Sequence, residues 1–121
     1  MDRRPSAESP SQLGIKGVVP IKQMSGDDAE DTALLAQMET SALKYLSSFD
    51  WCSSVRDAYF GDGYGGIVAV FLFRIVPVSP STDEWTWVVV GDLPSAHMET
   101  RDLKSPYEVL SEYIRQSVNS G

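Results

Sequence analysis

His97 and Cys52 are the chain's only histidine and cysteine, and they bound the reactive chemistry open to its 121 residues. An imidazole titrates near neutrality and suits general acid or base work. The acidic neighbours Asp92 and Glu99 lie close to His97 in sequence. A surface histidine in a loop would do no such work, and that is the expected role. Zinc needs three or four strong ligands. Cys52, His97 and two carboxylates would meet only by an accident of folding, so no metal site and no cofactor are expected. Cys52 follows Trp51 and leads into a strand, as a buried structural thiol would. No third orienting group or local signature marks it as a nucleophile.

The run GDGYGG at 61–66 is the other motif with possible chemistry. Successive glycine N–H groups can cradle an anion. Here a strand follows instead of the helix of a dinucleotide fingerprint, the Lys-Ser/Thr of a phosphate loop is missing, and Asp62 would repel phosphate. A hairpin turn is the expected role. Asp57, Asp62, Asp83, Glu84 and Asp92 flank strand ends. Across a cleft, two carboxylates can hydrolyse glycosides. On a compact sheet they are solvated rim charges, or an acidic patch for a basic protein. No catalytic residue is therefore expected.

Aromatic residues carry the stronger functional signal. Trp51, Trp85 and Trp87 are accompanied by Tyr59 and Tyr64, and strand alternation puts Trp85 and Trp87 on one face. Core packing explains such rings; partly exposed beside carboxylates, they make a protein-binding surface. The candidate interaction residues are Trp85, Trp87, Tyr59, Tyr64, Asp62, Asp83 and Glu84. Arg74 and His97 are the candidate ligand-binding residues of a rival reading, a small-molecule site or enzyme pocket lined by aromatics.

The elements that must position these residues follow from periodicity. Residues 1–12 are rich in Ser, Pro and charge, and Leu13–Met24 offers LGIKGVVPIK as a weak edge strand or irregular arm. Residues 1–24 are thus expected to be a flexible leader or arm, with a single domain over 25–121. Asp27–Phe49 reads as a helix with Ser25, Asp27 and Asp28 as candidate caps. Its apolar stripe is Leu35, Met38, Ala42, Tyr45, Leu46 and Phe49. Ser54–Phe60, Ile67–Val76 and Trp85–Val90 read as strands, and Ser95–Thr100 as a short fourth strand or a loop. Ile67–Val76 is apolar on both faces, as a central strand is. Arg74 is its exception and is expected where the second face reaches water. Ser105, Pro106 and Glu108 form a helix start, and Tyr107, Leu110, Tyr113, Ile114 and Val118 are expected to supply that helix's apolar face up to about Asn119–Gly121.

The fold expected is α+β: a small antiparallel sheet of three or four strands flanked by an N-terminal and a C-terminal helix, in the order α-β-β-β-(β)-α. Short connections place both helices against one face. Charge bears on the partner. The formal net charge is −7, spread as nine acidic and six basic residues in 1–60 and eight and four in 61–121. Such a surface repels nucleic acid and anionic lipid. Ile67–Val78 is too short for a membrane span and contains Arg74 and Pro77. With no secretory signal in MDRRPSAESPSQ, a cytoplasmic protein is expected. The function these features favour is a small acidic interaction domain, of inhibitor, immunity or adaptor type, that binds without catalysis. Its partner would be a basic protein, or another copy of itself in a homodimer.

Overall fold

β3 (Val68–Pro77) organises the molecule because it is apolar on both faces and must be covered on both. The computed structural model describes residues 7–92 and 94–119, the last two without their side chains. In it β3 lies at the centre of a five-stranded antiparallel sheet of order β1-β2-β3-β4-β5. The other strands are β1 (Val19–Pro20), β2 (Cys52–Tyr64), β4 (Trp85–Gly91) and β5 (Ala96–Glu99). The sheet is one strand larger than the expected maximum of four: the weak LGIKGVVPIK segment pairs, with Val19 opposite Phe60 and Pro20 opposite Tyr59.

Helix α1 (Ala29–Ser47) begins where Asp28 accepts a hydrogen bond from Asp31 N–H at 2.8 Å. It sets Leu35, Met38, Ala42 and Leu46 against Ala69, Phe71, Phe73, Ile75, Val88 and Val90. Helix α2 (Pro106–Asn119) covers the other face. There Val109 and Tyr113, with Ile15, pack on Val70, Leu72, Trp85, Trp87, Val89 and Met98. The helices therefore sandwich the sheet, which corrects the expectation that both share one face. Two independent apolar faces on β3 and β4 require two covers.

α2 also presents a different stripe from the one periodicity gave. Val109 and Tyr113 are buried, whereas Tyr107 and Ile114 are exposed. The side chain of Val118 lies outside the described residues. At the start of α2, Ser105 Oγ accepts from Glu108 N–H at 3.3 Å, and Glu108 Oε1 accepts from Lys104 N–H at 2.6 Å. The carboxylate thus reaches one residue further back than in a capping box.

GDGYGG is mostly strand. β2 runs through Tyr64, and the reversal falls at Gly65–Ile67, with Gly66 at φ 81°. Gly65 N–H donates to Asp31 Oδ1 at 2.6 Å, so a carboxylate of α1 occupies the amide that a bound anion would need. Gly91 allows a close approach, since a Cβ there would lie 2.1 Å from the Ile67 carbonyl oxygen. The sheet edges are poor templates for pairing. β2 carries three register shifts, β1 contains Pro20, and β5 has four residues. Among the described residues no helix is long and apolar enough to cross a membrane.

Candidate functional site

The two tryptophans expected to face a partner are core residues. Trp85 is 3% exposed and Trp87 0%. Their indole N–H groups are satisfied internally, Trp85 donating to the Ala7 carbonyl at 3.1 Å and Trp87 to the Leu103 carbonyl at 2.9 Å. Burial corrects their assignment as exposed anchors: α2 and the N-terminal segment cover the face that alternation gave them. Tyr59 is half-buried, its ring centroid 5.9 Å from that of Trp85. Tyr64 is exposed beside the hairpin turn, as is Asp62, whose carboxylate accepts from Gly63 N–H.

Arg74 does not reach water. It is 4% exposed, with Glu84 Oε2 at 2.8 Å from Nε and Glu8 and Asp57 carboxylates at 3.4 and 3.7 Å from Nη1. Its guanidinium lies 5.8 Å from the Trp85 ring centroid. Burial works against the charge, but Glu84 and then Glu8 outweigh it and raise the pKa above the usual arginine value. Glu84 and Asp57 are thereby engaged inside the molecule. Arg74 and His97 do not share a pocket, nor do the tyrosines join them. Of the residues that the rival reading needed together, Trp85 and His97 line one cavity, and Tyr59, Tyr64, Trp87 and Arg74 do not line it with them.

What the fold does assemble surrounds His97. The histidine lies on β5, not in a loop, opposite Val88. Its ring meets Phe49 at 5.0 Å, Trp51 at 5.1 Å and Tyr45 at 6.2 Å between centroids. Phe49 in turn stacks on Trp51 at 4.9 Å. The end of α1, the link into β2 and the edge strand thus form one aromatic cluster. Beside it a cavity of about 280 Å³ is lined by Trp51, His97, Glu99, Asp83, Ser81 and Thr82, among others. Asp83 comes from the β3–β4 turn, and Glu99 from the same face of β5 as His97. Among the described residues neither carboxylate has an ion-pair or hydrogen-bond partner, and no Lys or Arg lines the cavity.

Packing against these rings lowers the His97 pKa by desolvation. The folded state then binds fewer protons than the unfolded chain near pH 6. Its contribution is complete above the unfolded value of 6.5 and is lost as the pH falls through that value towards the folded pKa. His97→Phe is accordingly expected to flatten the decline in melting temperature between pH 7.5 and 5.5. Parallel declines in both proteins would contradict this.

Cys52 is buried, its Sγ donating to the Ser54 carbonyl at 3.7 Å, and burial pushes its thiol pKa up. It does not activate as a thiolate nucleophile would. Among the described residues no group of three or more His, Cys, Asp or Glu is placed to hold a metal ion.

Of the four residues of this site, Asp83 and His97 are candidates of the sequence analysis, and Trp51 and Glu99 are not. Trp51 is one of three tryptophans, and His97 with Glu99 is an i, i+2 pair on a short strand. Asp83 converges on them only through the β3–β4 turn. No family model matches the chain, nor does any curated protein or solved structure.

Proposed function

We propose that this is a small protein-interaction domain that binds a basic partner, without catalysis, at the surface formed by Trp51, His97, Asp83 and Glu99. One observation carries the reading: among the described residues two carboxylates without a hydrogen-bond or ion-pair partner share a cavity with an indole and an imidazole, and no Lys or Arg lines it, Arg101 lining the neighbouring cavity instead. A lysine or arginine of the partner would lie against Trp51 with Asp83 or Glu99 as counter-ion. The net charge of −7 would steer the encounter, so association should weaken with salt. Inhibitor and adaptor forms of this reading use the same surface and differ in what the partner's basic face does.

The test is quantitative capture from the native host by the wild-type chain, Trp51→Ala and Asp83→Asn/Glu99→Gln in parallel. A basic protein retained by wild type should be lost from the folded variants, with affinity down by about tenfold or more if Trp51 is an anchor. Equal recovery of the same partner by all three would reject the surface.

A further inference from the structure

β1 pairs only with Tyr59 and Phe60 of β2, so among the described residues no strand covers the outer edge of β2 at Val55–Ala58. After β1 the chain turns into a short helical segment, Ile21–Gln23, while α1 lies over the same end of the sheet. These three elements enclose a mainly apolar cavity of about 430 Å³. Its volume falls within the range of about 300–1,000 Å³ usual for small-molecule sites. Ile21, Leu43, Val55 and Ala58 give it their exposed sides and pack their other sides on the core under α1.

Four charged side chains also line it: Lys22, Glu39, Arg56 and Asp57. Two of them are engaged elsewhere. Arg56 Nη1 lies 3.5 Å from Glu84, and Asp57 lies 3.7 Å from Arg74 Nη1. Among the described residues Glu39 and Lys22 have no hydrogen-bond or ion-pair partner, nor do they pair with each other. They stand on different walls, Glu39 on α1 one turn before Leu43, and Lys22 on the segment after β1. Glu39 is half-buried, and desolvation pushes its carboxyl pKa up. A carboxylate drawn from water without a counter-ion carries a cost that an incoming ammonium would relieve.

We propose that this cavity binds a small zwitterion with an apolar body, namely a free α-amino acid with an aliphatic or aromatic side chain. Its ammonium meets Glu39, its carboxylate meets Lys22, and its side chain lies on Ile21, Leu43 and Val55. Charge selects this class. A simple amine would satisfy Glu39 but face Lys22 and Arg56. A simple carboxylate would satisfy Lys22 but face Glu39 and Asp57. An uncharged apolar ligand would leave both free charges unpaired. The cavity shares no lining residue with the Trp51–His97 surface, so the proposal goes beyond the interaction reading and stands or falls apart from it.

NMR titration of the isotope-labelled chain with L-leucine, L-methionine and L-phenylalanine, each to about 10 mM, tests it. At least one should give saturable amide shifts centred on residues 21–22, 39–43 and 55–58. The decarboxylated and deaminated analogues of that ligand should each bind about tenfold more weakly or worse. Glu39→Gln and Lys22→Gln should each weaken the parent ligand by about as much. Both variants should keep the wild-type circular dichroism, because Lys22 is exposed and glutamine keeps the shape of Glu39. Saturation by none of the three amino acids, or shifts centred elsewhere, would overturn the site. Analogues that bind as well as the parent, or a folded variant that binds like wild type, would overturn the recognition by paired charges.

Discussion

Trp87→Ala is expected to destabilise the fold by about 3–5 kcal/mol, the range for removing a large aromatic from a core. Trp87 is fully buried on the face covered by α2, amid Leu72, Val89, Met98, Val109 and Tyr113. Truncation would open a cavity there. It would also remove the donor to the Leu103 carbonyl at 2.9 Å, which leads into α2. An acceptor left unpaired in such a place costs about 1–3 kcal/mol, part of it already within the measured range for truncation. Small domains have only about 5–15 kcal/mol in total, so the variant would stand close to unfolding. Equilibrium urea unfolding measures this. A loss below about 1 kcal/mol would mean that α2 is not the cover of this face. Trp51→Ala provides the contrast: its half-buried ring lies on the rim, and its replacement should affect binding far more than stability.

The difference between these tryptophans shows what sequence pattern can and cannot decide. Alternation placed Trp85 and Trp87 on the same face of one strand, and the structure agrees. It could not say whether that face was covered. α2 raises the same problem in helical form. Tyr107, Leu110 and Ile114 make as good a stripe as Pro106, Val109 and Tyr113, because a hydropathy pattern counts an exposed Ile like a buried one. Only the placement of the helix on a twisted sheet chooses between them. β3 was legible because both of its faces are apolar, leaving no choice of side, and the start of α1 because Asp28 caps it locally. The site around His97 joins residues 45, 49 and 51 to residues 83, 97 and 99. Contacts at such separations follow from strand order, which no local pattern encodes.

Arg74 was misread for the same reason, since its environment depends on a segment far away in sequence. Glu8 contacts the guanidinium and Ala7 accepts from the neighbouring Trp85, so the N-terminal segment closes over a position that β3 alone would leave at the sheet's margin. The burial predicts an asymmetry between partners. Glu84→Ala removes the shortest contact, at 2.8 Å, and leaves a guanidinium that is 4% exposed beside two more distant carboxylates. Breaking a buried pair in this way costs about 3–5 kcal/mol; here Glu8 and Asp57 hold the loss towards the lower figure. Arg74→Met removes the buried charge itself. Glu8 and Asp57 are exposed enough to rehydrate, at 70% and 46%, and methionine can fill the space against Trp85. Its cost should be about 1 kcal/mol, because a well-packed apolar replacement of a buried ion is often close to neutral. Arg74→Met/Glu84→Leu should then be more stable than Glu84→Ala, although it carries more changes. Urea unfolding of the three variants decides the matter. If Arg74→Met is the most damaging, the ion pairs stabilise the fold by more than the burial of Arg74 costs, and the N-terminal segment is held chiefly by charge. If Glu84→Ala is, desolvation governs this corner of the sheet, and the carboxylates around Arg74 serve to make its burial tolerable.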